Sequence, residues 1–236
     1  MRVRLAVALA FAAFASPSTP AWPAVAAPPP ATRDWSKVAT RAADGAFVAG
    51  NPAARVKLVE YLSLTCPHCA KFEGEAIAPL TAKYIRTGLV SYEVRHALRD
   101  AFDLTASLLA RCNGPEQFFV VTPIVYAQQP QWMERAVRWS SATPPADGLP
   151  PETLLPLIAA GSGLDKVFAA NGVPPARAGA CLADGRERDV LTGMANEAWH
   201  RANFPGTPAF LINGVPVDGV MTWAELDKHL AAALRK

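Results

Sequence analysis

Val56-Lys57-Leu58-Val59-Glu60-Tyr61-Leu62-Ser63-Leu64-Thr65 runs directly into Cys66-Pro67-His68-Cys69, and this junction decides the fold. Val56, Leu58, Glu60 and Leu62 alternate along one face of a strand predicted over Val56–Leu64. A 3.6-residue period then takes over: Cys69, Phe72, Ala76 and Leu80 fall at i, i+3, i+7 and i+11, the inner stripe of a helix. Pro67 suits the first helical position, where its missing N–H costs nothing. Cys66 is then at or next to the cap, facing unpaired N–H groups and the positive end of the helix dipole. That setting favours a thiolate, which is the nucleophilic form of cysteine. His68 between the two thiols can add a positive or hydrogen-bonding group. The stripe predicts a buried Cys69 and places Cys66 at an exposed tip, so Cys66 should exchange and Cys69 resolve. Pro79 inside the helix predicts a kink.

Outward from this junction, Phe47-Val48 reads as a strand, separated from Val56–Leu64 by the turn Gly50-Asn51-Pro52. Leu89–Arg95 alternates as a further strand behind a helix stop at Thr87-Gly88. From about 100 to 203 the pattern is helical, punctuated by Gly114-Pro115, Pro144–Pro151, Gly161, Gly172 and Gly185. A strand returns at Ala209–Ile212, and Asn213-Gly214 joins it to Val215–Val217, which Pro216 places at a sheet edge. Thr222 and Glu225 form a capping box, and Trp223, Leu226, Leu230 and Leu234 mark the inner face of a last helix.

Residues 1–26 read as an export signal. Arg2 and Arg4 supply the positive end, Leu5–Ala15 the apolar run, and Ala24-Val25-Ala26 a small-residue cleavage site, with cutting after Ala15 as the alternative. The apolar run is too short to span a bilayer. Taking Arg2 and Arg4 from the 23 basic side chains leaves 21 against 20 acidic ones, a net charge of +1. No polybasic stretch remains, so nucleic acid and anionic membranes are poor candidate partners. Four cysteines in an exported chain fit an oxidising compartment.

The order is βαβ, a long helical stretch, then ββα. With Cys66-Pro67-His68-Cys69 and with Gly206-Thr207-Pro208 ahead of the hairpin, the chain resembles the DsbA-type thiol:disulfide oxidoreductases from about Phe47 to its C-terminus. The resemblance implies an α/β thioredoxin fold with a large all-helical insertion. Its expected divisions are a signal peptide at 1–26, a loosely held lead-in at 27–46, one thioredoxin half at 47–98, the insertion at 99–203 and the other half at 204–236. It implies disulfide exchange in the periplasm with reduced or unfolded exported proteins, and reoxidation by a DsbB-like membrane partner, with no cofactor. His68 is the residue carried by strongly oxidising members. Pro208 matches the family's cis-proline, the alternative being an ordinary trans turn proline, and the Thr207 backbone would pair with an extended substrate. Threonine at this place also occurs in isomerases and reductases, so the direction of exchange stays open. So does a redox-inactive peptide-binding or chaperone role for the same fold.

The family carries an acidic residue at the position of Glu60. A partly desolvated carboxylate there would exchange a proton with Cys69; the alternative is an ion pair with Arg95 on the neighbouring strand. Cys112 and Cys181, 69 residues apart, are expected as a structural disulfide, with a second redox pair as the alternative. They form no second C-x-x-C, which argues against zinc. Trp132, Met133, Trp139 and Trp199 receive no role.

Overall fold

The computed structural model describes residues 33–236. The expected signal segment 1–26 lies outside the described residues, as does the start of the lead-in. In chain order the elements are β1 (Ala39–Arg41), β2 (Phe47–Gly50), β3 (Val56–Leu62), α1 (Pro67–Leu80), β4 (Val90–His96), α2 (Ala101–Arg111), α3 (Gly114–Ala127), α4 (Gln129–Ala142), α5 (Pro151–Ser162), α6 (Leu164–Ala169), α7 (Pro175–Leu182), α8 (Gly185–His200), β5 (Ala209–Ile212), β6 (Val215–Val217) and α9 (Trp223–Arg235). The strands form one sheet in the order β1-β2-β4-β3-β5-β6. β3 and β4 are parallel, as their connection through α1 requires, and every other pair is antiparallel. This is a thioredoxin fold with the helices α2–α8 inserted between β4 and β5.

Alternation along β3 buries Val56, Leu58, Glu60 and Leu62 beneath α1, whose Cys69, Phe72, Ala76 and Leu80 are buried in turn. The apolar core runs without a break from the sheet into the insertion, where Phe47 meets Phe118 edge-on at 5.4 Å. Trp132 is fully buried and its indole N–H donates to the Val125 carbonyl at 3.1 Å. Asn213 and Gly214 take φ of 52° and 80°, the two left-handed residues of a tight hairpin turn, and pair Ile212 with Val215. Pro79, where a kink is expected, lies inside α1, and a π turn over Thr81–Ile85 follows it.

Two expectations need correction. Residues 33–46 are not loosely held: Trp35–Lys37 form a 3₁₀ turn, Ala39–Arg41 pair with β2, and Arg111 of α2 donates to the Gly45 carbonyl at 2.7 Å. Backbone bonds hold this segment, so its side chains carry no periodic signal. Gly161 does not break a helix but lies inside α5. A Cβ there would sit 2.1 Å from the Trp139 ring, so the missing side chain makes room for tryptophan, and Gly163 at φ 73° ends the helix.

Candidate active site

Cys66 caps α1 with extended backbone (φ −85°, ψ 120°), and Pro67 occupies the first turn. The sulfur therefore faces the free N–H groups of the helix start. The Cys69 thiol donates a hydrogen bond to it, the strongest influence on its acidity; burial works against ionisation. The Thr207 side chain and the backbone N–H groups of Cys69 and His68 add to the first effect, and the Cys66 thiol is lowered to about 5. The His68 ring is exposed, so its backbone is what reaches the sulfur.

Cys66 is not at an exposed tip. It is only 4 % exposed, because the loop before β5 lies against it and its thiol donates to the Thr207 carbonyl at 3.2 Å. Pro67 and His68, which follow it, are exposed. The Thr207–Pro208 peptide bond is cis, with Pro208 buried. Thus Cys66 and Thr207, 141 residues apart in sequence, are brought into contact.

Cys69 is buried and its thiol is pushed far above the ordinary range, first by desolvation, then by its bond to Cys66 and by the charge of Glu60. Glu60 is 1 % exposed and accepts a 2.5 Å hydrogen bond from the Tyr92 hydroxyl. Burial raises its carboxyl to about 7; the Tyr92 bond opposes this and a Cys66 thiolate adds to it. The alternative of a Glu60–Arg95 ion pair is overturned. Arg95 stands beside Tyr61 in the β3–β4 register and points to the other sheet face. There it binds Asp44 at 2.7 Å, Glu93 at 2.8 Å and Glu197 at 2.6 Å.

Glu73 escaped the sequence reading. One turn beyond Cys69, it is 5 % exposed, and burial followed by the charge of Glu60 raises its carboxyl to about 8. Its place at i+4 from Cys69 on the apolar stripe was the available signal.

The insertion grips the backbone just ahead of Cys66. Asp103 of α2 accepts from the N–H of Leu64 at 2.8 Å and of Arg99 at 3.1 Å. Tyr126 of α3 donates to the Ser63 carbonyl at 3.1 Å. Gln129 of α4 donates to the carbonyls of Leu64 at 2.7 Å and Cys66 at 3.0 Å. These bonds replace sheet pairing and explain why β3 stops at Leu62 rather than Leu64. Burial raises the Asp103 carboxyl to about 7, against the bonds it accepts from Ser63, Leu64 and Arg99. None of the three helical residues had a local signal in the sequence.

Cys112 and Cys181 are bonded to each other, joining the end of α2 to α7. Among the described residues, no group of three or more His, Cys, Asp or Glu side chains is placed to hold a metal ion, and no helix is long and apolar enough to cross a membrane. A cavity of about 320 Å³ between β2, α3 and the far end of α1 is lined by Ile77, Phe119 and Tyr92 and by neither Cys66 nor Cys69.

A family model described as thioredoxin matches residues 42–232. A relative from Rickettsia bellii, provisionally named protein-disulfide oxidoreductase, is 30% identical over 77% of this chain and 62% of its own length. One of the same name from Rickettsia felis is 31% identical over 76% of this chain and 57% of its own. The chain thus spans about three-fifths of the curated relatives it matches. A crystal structure titled protein-disulfide isomerase, from Novosphingobium aromaticivorans, is 30% identical with a TM-score of 0.72, covering 80% of this chain and 97% of that one. The alpha-DsbA1 of Wolbachia pipientis shares the fold at 24% identity and a TM-score of 0.59, over 80% of this chain and 90% of its own. The fold, the paired cysteines at the start of α1 and the family match lead to one assignment: the chain belongs to the thioredoxin family.

Proposed function

We propose that this protein is a thiol:disulfide oxidoreductase acting through Cys66 and Cys69. The observation that carries the reading is the opposite tuning of the two thiols. Cys66 is lowered to about 5 at the helix start, while burial keeps Cys69 protonated beneath it. A substrate thiolate attacks the Cys66 sulfur of the oxidised enzyme and forms a mixed disulfide; Cys69 leaves and takes a proton from Glu60. A second substrate thiolate then displaces Cys66, which departs readily because its thiolate is stable. Thr207 and Pro208 supply the backbone edge along which an extended substrate would lie. The preferred direction is oxidation of reduced or unfolded exported proteins in the periplasm, with a DsbB-like membrane protein restoring the disulfide. Reoxidation and location rest on the DsbA resemblance and on the expected signal segment.

The isomerase name of the Novosphingobium neighbour, together with Thr207 before Pro208, favours a second reading in which the pair works reduced. Alkylation trapping of Cys66 and Cys69 in the native cell separates the two. A mostly oxidised pair supports the oxidase; a mostly reduced pair supports the isomerase or reductase. A Cys66→Ala protein that still promoted disulfide exchange would overturn both.

A further inference from the structure

Glu60 is held from one side only. Its strand neighbours Leu58 and Leu62 are buried and apolar, and the hydroxyl of Tyr92 is the hydrogen-bond donor that reaches its carboxyl. Leu58 stands beside Tyr92 and Glu60 beside Val94 in the parallel register, so both polar side chains emerge on the α1 side of the sheet. Tyr92 is 2 % exposed and its ring rests against Phe119 of α3 at 5.8 Å, which fixes where the hydroxyl points.

We propose that Tyr92 is a positioning residue for the exchange reaction: its hydroxyl orients the Glu60 carboxylate toward the resolving thiol and sets the pH range in which that carboxylate accepts a proton. The proposal rests on the reading that Glu60 is the proton partner of Cys69.

When the enzyme resolves a mixed disulfide, Cys69 gives its proton to the Glu60 carboxylate and attacks the Cys66 sulfur with the freed electron pair. The Cys66–Cys69 bond forms, the bond from Cys66 to the partner sulfur breaks, and the partner leaves as a thiolate. In the opposite direction Cys69 leaves and Glu60 returns the proton. Either way Glu60 must change charge in a buried site. The titratable groups that interact with it are Cys66 at the cap of α1, Cys69 and Glu73 on α1, Tyr92 on β4 and Tyr126 on α3, with Asp103 of α2 acting on Tyr126 behind them. Charges on Cys66 and Glu73 oppose a second negative charge here, as burial does. Tyr126 spends its proton on the Ser63 carbonyl, and Asp103 accepts from Leu64 and Arg99. Tyr92 is the group whose bond favours the anion.

The test uses the full protein carrying a synthetic cysteine peptide in mixed disulfide with Cys66, and follows peptide release against pH. In the unaltered protein release should rise with pH to a plateau. Its midpoint should lie at or below about 7, because Cys66 carries no charge in the mixed disulfide. Tyr92→Phe keeps the ring and its packing but removes the donor. The midpoint should move up by about one pH unit, slowing release about tenfold below it, with the plateau and the Cys66 thiolate titration unchanged. Phe119→Leu, which keeps the hydroxyl but loosens the ring, should give a smaller shift of the same sign. A Tyr92→Phe profile with an unmoved midpoint, including a uniform slowing at every pH, overturns the proposal. Glu60→Gln separates the layers. If it removes the pH-dependent rise while Tyr92→Phe leaves the rise in place, only the role of Tyr92 fails; if it preserves the rise, the Glu60 reading fails.

Discussion

The side-chain amide of Gln129, at the first position of α4, donates to the carbonyl oxygen of Cys66 at 3.0 Å. The same nitrogen reaches the Leu64 carbonyl at 2.7 Å, so an inserted helix holds the backbone at and just ahead of Cys66. Gln129→Leu keeps the bulk and loses both bonds. Buried acceptors left unpaired cost about 1–3 kcal/mol. Urea unfolding of this variant should show a loss in that range, whereas an unchanged midpoint would mean that the two carbonyls find other partners.

Glu73 makes the protein less stable as the pH rises. Its folded value of about 8 stands above the ordinary 4.5, so the folded state keeps a proton that the unfolded chain releases. The stabilisation is complete below the unfolded value and is lost as pH climbs through the folded one. In the oxidised protein, where Cys66 does not titrate, Glu73→Gln should therefore gain stability over the parent as pH rises from about 4.5 to about 8, by roughly 1–4 kcal/mol. Denaturant unfolding at the two ends of the window checks this; a constant offset would contradict it.

The Cys112–Cys181 bond closes a loop of 69 residues within the insertion. Chain entropy alone assigns such a loop about 4 kcal/mol. Replacing both cysteines by serine should lower thermal stability substantially and leave the Cys66 thiolate titration in place, because the bond joins α2 to α7 and neither sulfur touches Cys66. A displaced titration would point instead to a regulatory disulfide.

Much of the frame was legible because it depends on neighbours in sequence. Pro67 and Cys66 form a helix start, Asn213-Gly214 a two-residue turn, and Thr222 with Glu225 a capping box that is present in the structure. Glu60 could be placed on the inner face of β3, but its partner could not. Tyr92 and Arg95 lie on the same strand, and only the register shows which one faces α1. β1 was missed because three backbone-paired residues leave no hydrophobic period. Gln129 and Asp103 were missed for a different reason: they act across 63 and 39 residues of chain on carbonyl and amide groups, which carry no side-chain signature. Cys66 was expected in the open because helix periodicity cannot report a loop folding over it from 141 residues away.

The whole mechanism depends on Cys66 being an anion in the working pH range. Ultraviolet titration of the thiolate in the reduced protein measures this directly. The geometry predicts a midpoint at about 5, set by the Cys69 thiol, Thr207 and the amides at the start of α1. A midpoint near the ordinary 9.0 of a cysteine would contradict it, because Cys66 would then be neither the better nucleophile nor the better leaving group of the pair.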